Sequence, residues 1–173
     1  KGKYVSPMNW DKFISQKNVK LIDTRNIYET EIGRFKNAID PNTNSFREFP
    51  DKLNQIGITK NDKLALYCTG GIRCEKASAY LKLKGFKNIF QLDGGILNYL
   101  NYLKEHSEKS YWSGECFVFD KRVTVDKDLK KGKYIQCYGC RHPLTKKDIK
   151  STFYKKGVVC SYCYDKRSSE QKR

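Results

Sequence analysis

The chain reads as an α/β protein, a parallel sheet flanked by helices, carrying a small cysteine-rich module at its C-terminal end. Three observations point there. Short apolar runs alternate with helical patterns over the first 105 residues. A Cys-Thr-Gly-Gly turn joins one such run to a helix. Two Cys-x2-Cys pairs are confined to the last third of the 173 residues. Strands separated by helices make a largely parallel sheet covered on both faces.

In chain order, Ser6 is a candidate N-cap with Pro7 at the first helical position, opening a helix to about Gln16 whose Trp10, Phe13 and Ile14 share one face. Val19–Ile22 reads as a strand ending in Asp23-Thr24-Arg25. Tyr28–Ile32, Phe46–Phe49 and Asp51–Ile56 read as short helical turns. Lys63–Tyr67 is the next strand, Arg73–Lys84 a helix stopped by Gly85, and Asn88–Leu92 a further strand. Asp93-Gly94-Gly95 then turns the chain into a helix from Ile96 to about Glu105. The first domain is expected over residues 1–108 and the cysteine-rich module over 109–173. Ser168–Arg173 has no packing residues and is expected to be disordered.

The composition bounds the function. Hydrophobic residues make up 38% of the chain, enough for a real core. The seven cysteines are an odd number with no apolar signal segment ahead of them, which favours a reducing cytoplasm over a secreted disulfide framework. No run is long enough to span a membrane. The net charge is +16 and uneven: residues 1–120 carry 19 basic and 14 acidic groups, residues 121–173 carry 16 and 5. The C-terminal part is therefore the polyanion-attracting part, with nucleic acid the commonest such partner.

Cys68 sits where a thiol becomes reactive. A strand-to-helix turn aims backbone N–H groups and the positive helix end at its centre, which favours the thiolate. Thr69, Gly70, Gly71, Ile72 and Arg73 complete the loop. Both glycines are expected to give the turn its curvature through positive φ. Cys68 and Arg73 form Cys-x4-Arg, one residue shorter than the Cys-x5-Arg cradle that phosphatases use for phosphate. The shorter loop suits a smaller passenger, such as one sulfur atom carried as a persulfide, with Arg73 and the loop amides stabilising the anion. Asp23, Arg25 and Cys68 all fall at strand ends and are expected to share a crevice, Asp23 and Arg25 acting as a bracing ion pair. Cys74 reads either as a resolving thiol or as a small packed side chain.

Asp23-Thr-Arg25, the Cys68 loop and the Asp93-Gly-Gly95 turn together resemble a rhodanese domain, the sulfurtransferase fold. The resemblance narrows with Lys1–Trp10, Ile22–Glu29, Pro41-Asn-Thr43 with Phe46–Pro50, Cys68–Lys76 and Gly114–Asp120: these are similar to the bacterial oxygen-dependent tRNA uridine hydroxylase family. That resemblance implies oxygen-dependent formation of 5-hydroxyuridine at the tRNA wobble position, with molecular oxygen as substrate, tRNA as partner and Cys68 as the essential residue. The family ordinarily begins with a further small α/β domain, so this chain is expected to be a fragment. It also departs from the usual rhodanese Gly-His-Ile-Pro-Gly-Ala, reading Gly33-Arg-Phe-Lys-Asn-Ala38. No Gly-x-Gly-x-x-Gly dinucleotide fingerprint is present, and an iron site would have to draw the only two histidines, His106 and His142, from different modules, so none is expected.

Cys137, Cys140, Cys160 and Cys163 form two Cys-x2-Cys pairs with nineteen residues between them, the spacing of a structural zinc site. A polar segment with few core residues would gain its fold from the metal. Two disulfides, or four reduced thiols, are the competing readings. His142 reads as a substitute ligand or a neighbour of the site, and Cys116 as a packed residue of the Phe117–Phe119 strand. Tyr134, Tyr138, Phe153, Tyr154, Tyr162 and Tyr164 lie among Arg141, Lys146, Lys147, Lys155 and Lys156, a mixture that suits splayed RNA bases or a small aromatic core.

Overall fold

A computed structural model describes residues 1–106 and 109–173; the domain border expected at residue 108 lies outside the described residues. Strand β1 (Lys3–Val5) leads to helix α1 (Pro7–Ile14), β2 (Val19–Asp23), α2 (Ile27–Thr30), β3 (Gly33–Phe35) and α3 (Phe49–Leu53). Then come β4 (Lys63–Tyr67), α4 (Ile72–Leu83), β5 (Asn88–Leu92) and α5 (Gly95–His106). Five strands of two or three residues follow: β6 (Trp112–Gly114), β7 (Cys116–Phe117), β8 (Thr124–Val125), β9 (Ile135–Gln136) and β10 (Pro143–Leu144).

The central sheet runs β1-β5-β4-β2 with every pairing parallel. Its middle strand explains why. Leu64, Ala65, Leu66 and Tyr67 are all fully buried, as a strand covered on both faces requires. Alternation sends them to opposite sides. Ala65 and Tyr67 join Trp10, Leu21, Leu92, Ile96, Tyr99 and Leu100 beneath α1 and α5. Leu64 and Leu66 join Ile22, Phe49, Leu53, Cys74, Ala77 and Leu81 beneath α3 and α4.

Residues 112–125 pack onto this domain. β6 pairs antiparallel with β3, Gly33 facing Gly114, and Trp112, Cys116, Val118 and Val125 enter the same core as Trp10 and Phe35. A separate small core holds Cys137, Leu144, Val159, Cys160 and Cys163. Its aliphatic content is two buried side chains, too little to support the module by hydrophobic burial alone.

Two expectations are corrected. β1 and β3, which the sequence pattern did not suggest, are three-residue strands whose partners lie far along the chain, so they carry no local periodicity. The C-terminal tail folds back instead of remaining unstructured: Ser168 N–H donates to Gln171 Oε1 at 3.0 Å, and Lys172 Nζ lies 4.1 Å from the Tyr164 ring centroid. Lys172 of the tail thus finds an aromatic face that the apolar count does not reveal. No helix among the described residues is long and apolar enough to cross a membrane.

Candidate active site

Cys68 stands between the end of β4 and the start of α4. Gly71, at φ 95°, caps α4 and brings its own N–H to 3.1 Å from Cys68 Sγ. The Cys68 thiol is lowered to about 6. The Cys74 thiol donating toward it is the main cause, opposed by burial and helped by the Cys74 amide, the Arg73 charge and the Gly71 amide. Cys74 is fully buried, and burial pushes its own thiol well above the ordinary range. It is therefore the proton-bearing member of the pair. Its sulfur also lies 3.6 Å from Thr24 Oγ1.

The loop is fixed from three sides. α5 approaches from one: Ile96 N–H donates to the Cys68 carbonyl at 2.9 Å and Leu97 N–H to the Thr69 carbonyl at 3.1 Å. Gly95 allows this, since a Cβ there would fall 2.6 Å from both carbonyl oxygens, at φ +67°. α2 approaches from another. Glu29, fully buried, accepts both terminal nitrogens of Arg73 at 2.6 and 2.7 Å and lies 3.4 Å from Thr69 Oγ1. Arg73 is thus committed to Glu29 and acts on Cys68 through its field. Glu29 went unrecognised in the sequence, although Asn26-x-x-Glu29 is a legible capping box, and the structure forms it.

Gly70 and Gly71 differ in role. Gly71 takes positive φ; Gly70 does not, and no atom lies within 4 Å of where its Cβ would be. Gly70 leaves the top of the loop open. Ile72 projects outward, exposed.

Asp23 and Arg25 do not line the crevice. Both are buried, and Arg25 is held by Asp23 at 2.7 and 2.9 Å and by the Gly33 carbonyl at 2.7 Å, tying β2 to β3 beneath the surface. The guanidinium also lies 5.6 and 5.3 Å from the Tyr67 and Trp112 ring centroids. The reason is strand alternation: Asp23 shares the face of Leu21, where Tyr67 and Trp112 close over the pair, while Cys68 packs into the core on the other face. The third side of the crevice comes instead from the β7–β8 hairpin. Cys68, Thr69, Gly70, Ile72, Arg73 and Leu97 face Val118, Phe119, Asp120 and Arg122 across a pocket of about 310 Å³. Of these, Phe119 was visible only within the Phe117–Phe119 strand and the Gly114–Asp120 motif, and Asp120 only within that motif.

Residues 9–102 match the model of the rhodanese-like domain. The chain belongs to the rhodanese-like domain family. Among solved structures, reduced CoADR-RHD of Bacillus anthracis superposes with a TM-score of 0.51 at 26% identity, over 60% of this chain and 17% of that one. The Alr3790 protein of Anabaena gives 0.52 at 14% identity over 68% of this chain and 96% of its own, a likeness of fold. A rhodanese-like domain protein of Staphylococcus aureus gives 0.48 at 28% identity over 56% and 90%. The parallel sheet, the Cys68 turn and the Gly95 approach are thus parts of a rhodanese-like fold, and the hairpin that closes its pocket lies beyond the matched residues.

The second constellation gathers as its spacing suggests. The sulfurs of Cys137, Cys140, Cys160 and Cys163 lie within 4.8 Å of one another. Cys137–Cys163, Cys140–Cys160 and Cys160–Cys163 stand 4.0, 3.7 and 3.9 Å apart. Four thiolates at the usual zinc–sulfur distance of about 2.3 Å are separated by about 3.8 Å along each tetrahedral edge, whereas a disulfide needs about 2.05 Å. The four-cysteine group could therefore hold a metal such as zinc. His142 stacks on Tyr162 with centroids 3.6 Å apart and stays outside the four-sulfur group. Cys116 is packed away, and burial pushes its thiol up to about 12.

Proposed function

We propose that Cys68 is the reacting thiolate of a tRNA-modifying enzyme that converts the wobble uridine to 5-hydroxyuridine with molecular oxygen, as the resemblance of its loop motif implies. The observation that carries this reading is the placement of Cys68, its thiol lowered to about 6, in a pocket that shares Val118, Phe119 and Asp120 with a groove lined by Lys121, Lys131, Arg141 and Lys156. Cys68 supplies the nucleophile, and the Gly71 and Cys74 amides with the Arg73 charge hold negative charge on the sulfur. Zinc on Cys137, Cys140, Cys160 and Cys163 would be structural, since four thiolates leave no open position for chemistry. The cationic surface of residues 121–173 would draw the tRNA.

A second reading has its own support. Family membership, together with a cradle one residue shorter than a phosphate loop, favours a sulfurtransferase that carries a persulfide on Cys68.

The test is nucleoside mass spectrometry of tRNA from a strain lacking 5-hydroxyuridine, supplied with the complete gene as wild type or Cys68→Ala. The hydroxylase reading requires the modified nucleoside with wild type and its loss with the variant. Absence of the nucleoside in both, with thiocyanate released from the purified wild type by cyanide, would replace that reading with the sulfurtransferase.

A further inference from the structure

Phe119 is an aromatic residue left in the open beside a reactive loop. Its side chain is 69% exposed although Phe117 and Val118 just before it are buried. The ring is held rather than loose: the Arg73 guanidinium lies 5.6 Å from its centroid and Phe117 meets it edge-on at 5.0 Å. Val118, Phe119 and Asp120 line two hollows at once, the Cys68 pocket and a larger groove of about 1000 Å³. Tyr134 and Tyr138 line that groove with Lys121, Lys131, Arg141 and Lys156. Tyr138 is 76% exposed, so the groove also presents a free aromatic face. The acid at the junction, Asp120, is neutralised by Arg122 at 2.7 Å.

We propose that Phe119 is a positioning residue, a stacking platform that seats one splayed nucleobase of a single-stranded RNA segment beside Cys68, with the adjoining phosphates lying along Lys121, Lys131, Arg141 and Lys156. The assignment rests on the RNA reading above and adds to it a surface and a strand geometry. Charge complementarity selects the occupant: cations spaced between exposed rings match a backbone of phosphates carrying unstacked bases. The inner pocket, about 310 Å³, lies at the small end of the range for ligand sites, room for one ring system and not for a base pair. A ring already fixed by Arg73 and Phe117 loses little freedom when a base stacks on it.

The test uses a fluorescein-labelled RNA hairpin with an unpaired loop, a blunt duplex of the same composition, and the chain as wild type, Phe119→Ala, Phe119→Trp and Lys131→Ala/Lys156→Ala. Fluorescence anisotropy gives affinity, and iodoacetamide labelling of Cys68 at saturating RNA reports whether the base sits over the sulfur. Wild type is expected to prefer the hairpin and to have Cys68 shielded by it. Phe119→Ala should bind about tenfold more weakly and lose the shielding, while Phe119→Trp, which keeps an aromatic face, stays within about twofold. The lysine pair should weaken binding and flatten its salt dependence by about one unit of slope for each phosphate no longer neutralised. Unaltered affinity and shielding in Phe119→Ala, or equal binding of the duplex, would overturn the platform while leaving RNA as partner. Absence of binding to either RNA by wild type would overturn the RNA reading itself.

Discussion

Arg73 and Glu29, 44 residues apart in sequence, form a two-pronged ion pair at 2.6 and 2.7 Å that locks the cysteine loop to the α2 turn. Glu29 is fully buried and Arg73 nearly so, 17% exposed at its side chain. The pair sets where the loop amides point, so it governs Cys68 without touching it. Removing one member leaves the other charge uncompensated in the interior. Glu29→Ala is expected to destabilise the chain by about 3–5 kcal/mol in urea titration, far more than loss of an exposed pair such as Asp120–Arg122, which should cost under about 1 kcal/mol.

The glycines of the loop should separate by mechanism. Gly95→Ala drives a Cβ to 2.6 Å from two carbonyl oxygens at φ +67° and should cost about 3 kcal/mol. Gly71→Ala meets no atom closer than 4.0 Å, and its penalty is the left-handed conformation alone, about 1–2 kcal/mol. Gly70→Ala faces open space and should stay within about 0.5 kcal/mol. Thermal unfolding of the three variants checks the order.

Metal removal should act locally. One zinc per chain is expected by elemental analysis, lost in Cys160→Ser. Both tryptophans, Trp10 and Trp112, lie in the core under α1 and α5. Chelation should therefore open residues 137–163 to limited proteolysis while tryptophan emission stays native.

These cases show which parts of the molecule the residue order made readable. The buried run Lys63–Tyr67 announced a central strand because nearly all its side chains are apolar, and Cys68 announced a site because it follows that strand directly. The four sulfurs were readable because each pair fixes its own turn. What escaped depends on long-range pairing. Glu29 acquires its role from a residue 44 positions on, and β3 exists only because Trp112–Gly114 returns to pair with it. Asp23 and Arg25 were placed at the right strand end, but their depth was not readable, since burial of an ion pair depends on Trp112 and Tyr67 closing over it. Phe119, read only as part of the Phe117–Phe119 strand, stands exposed beside buried Phe117 and Val118.

The low pKa of Cys68 has a consequence for stability. An acid whose folded pKa lies below its unfolded value stabilises fully above the unfolded value, near 8.5–9, and that contribution is lost as pH falls through about 6. Wild type should therefore gain on Cys68→Ser as pH rises from 6 to 9, by up to about 1.4 kcal/mol per pH unit, measured by urea denaturation.

The reactive thiolate is tested most directly by the pH profile of Cys68 alkylation, followed by mass spectrometry of the Cys68 peptide with limiting iodoacetamide. The rate should rise through a midpoint near 6 and plateau above it. Cys74→Ala, which removes the donated S–H, should move the midpoint upward. A wild-type midpoint at the ordinary thiol value of about 8.5, or a midpoint that Cys74→Ala leaves in place, would contradict the account.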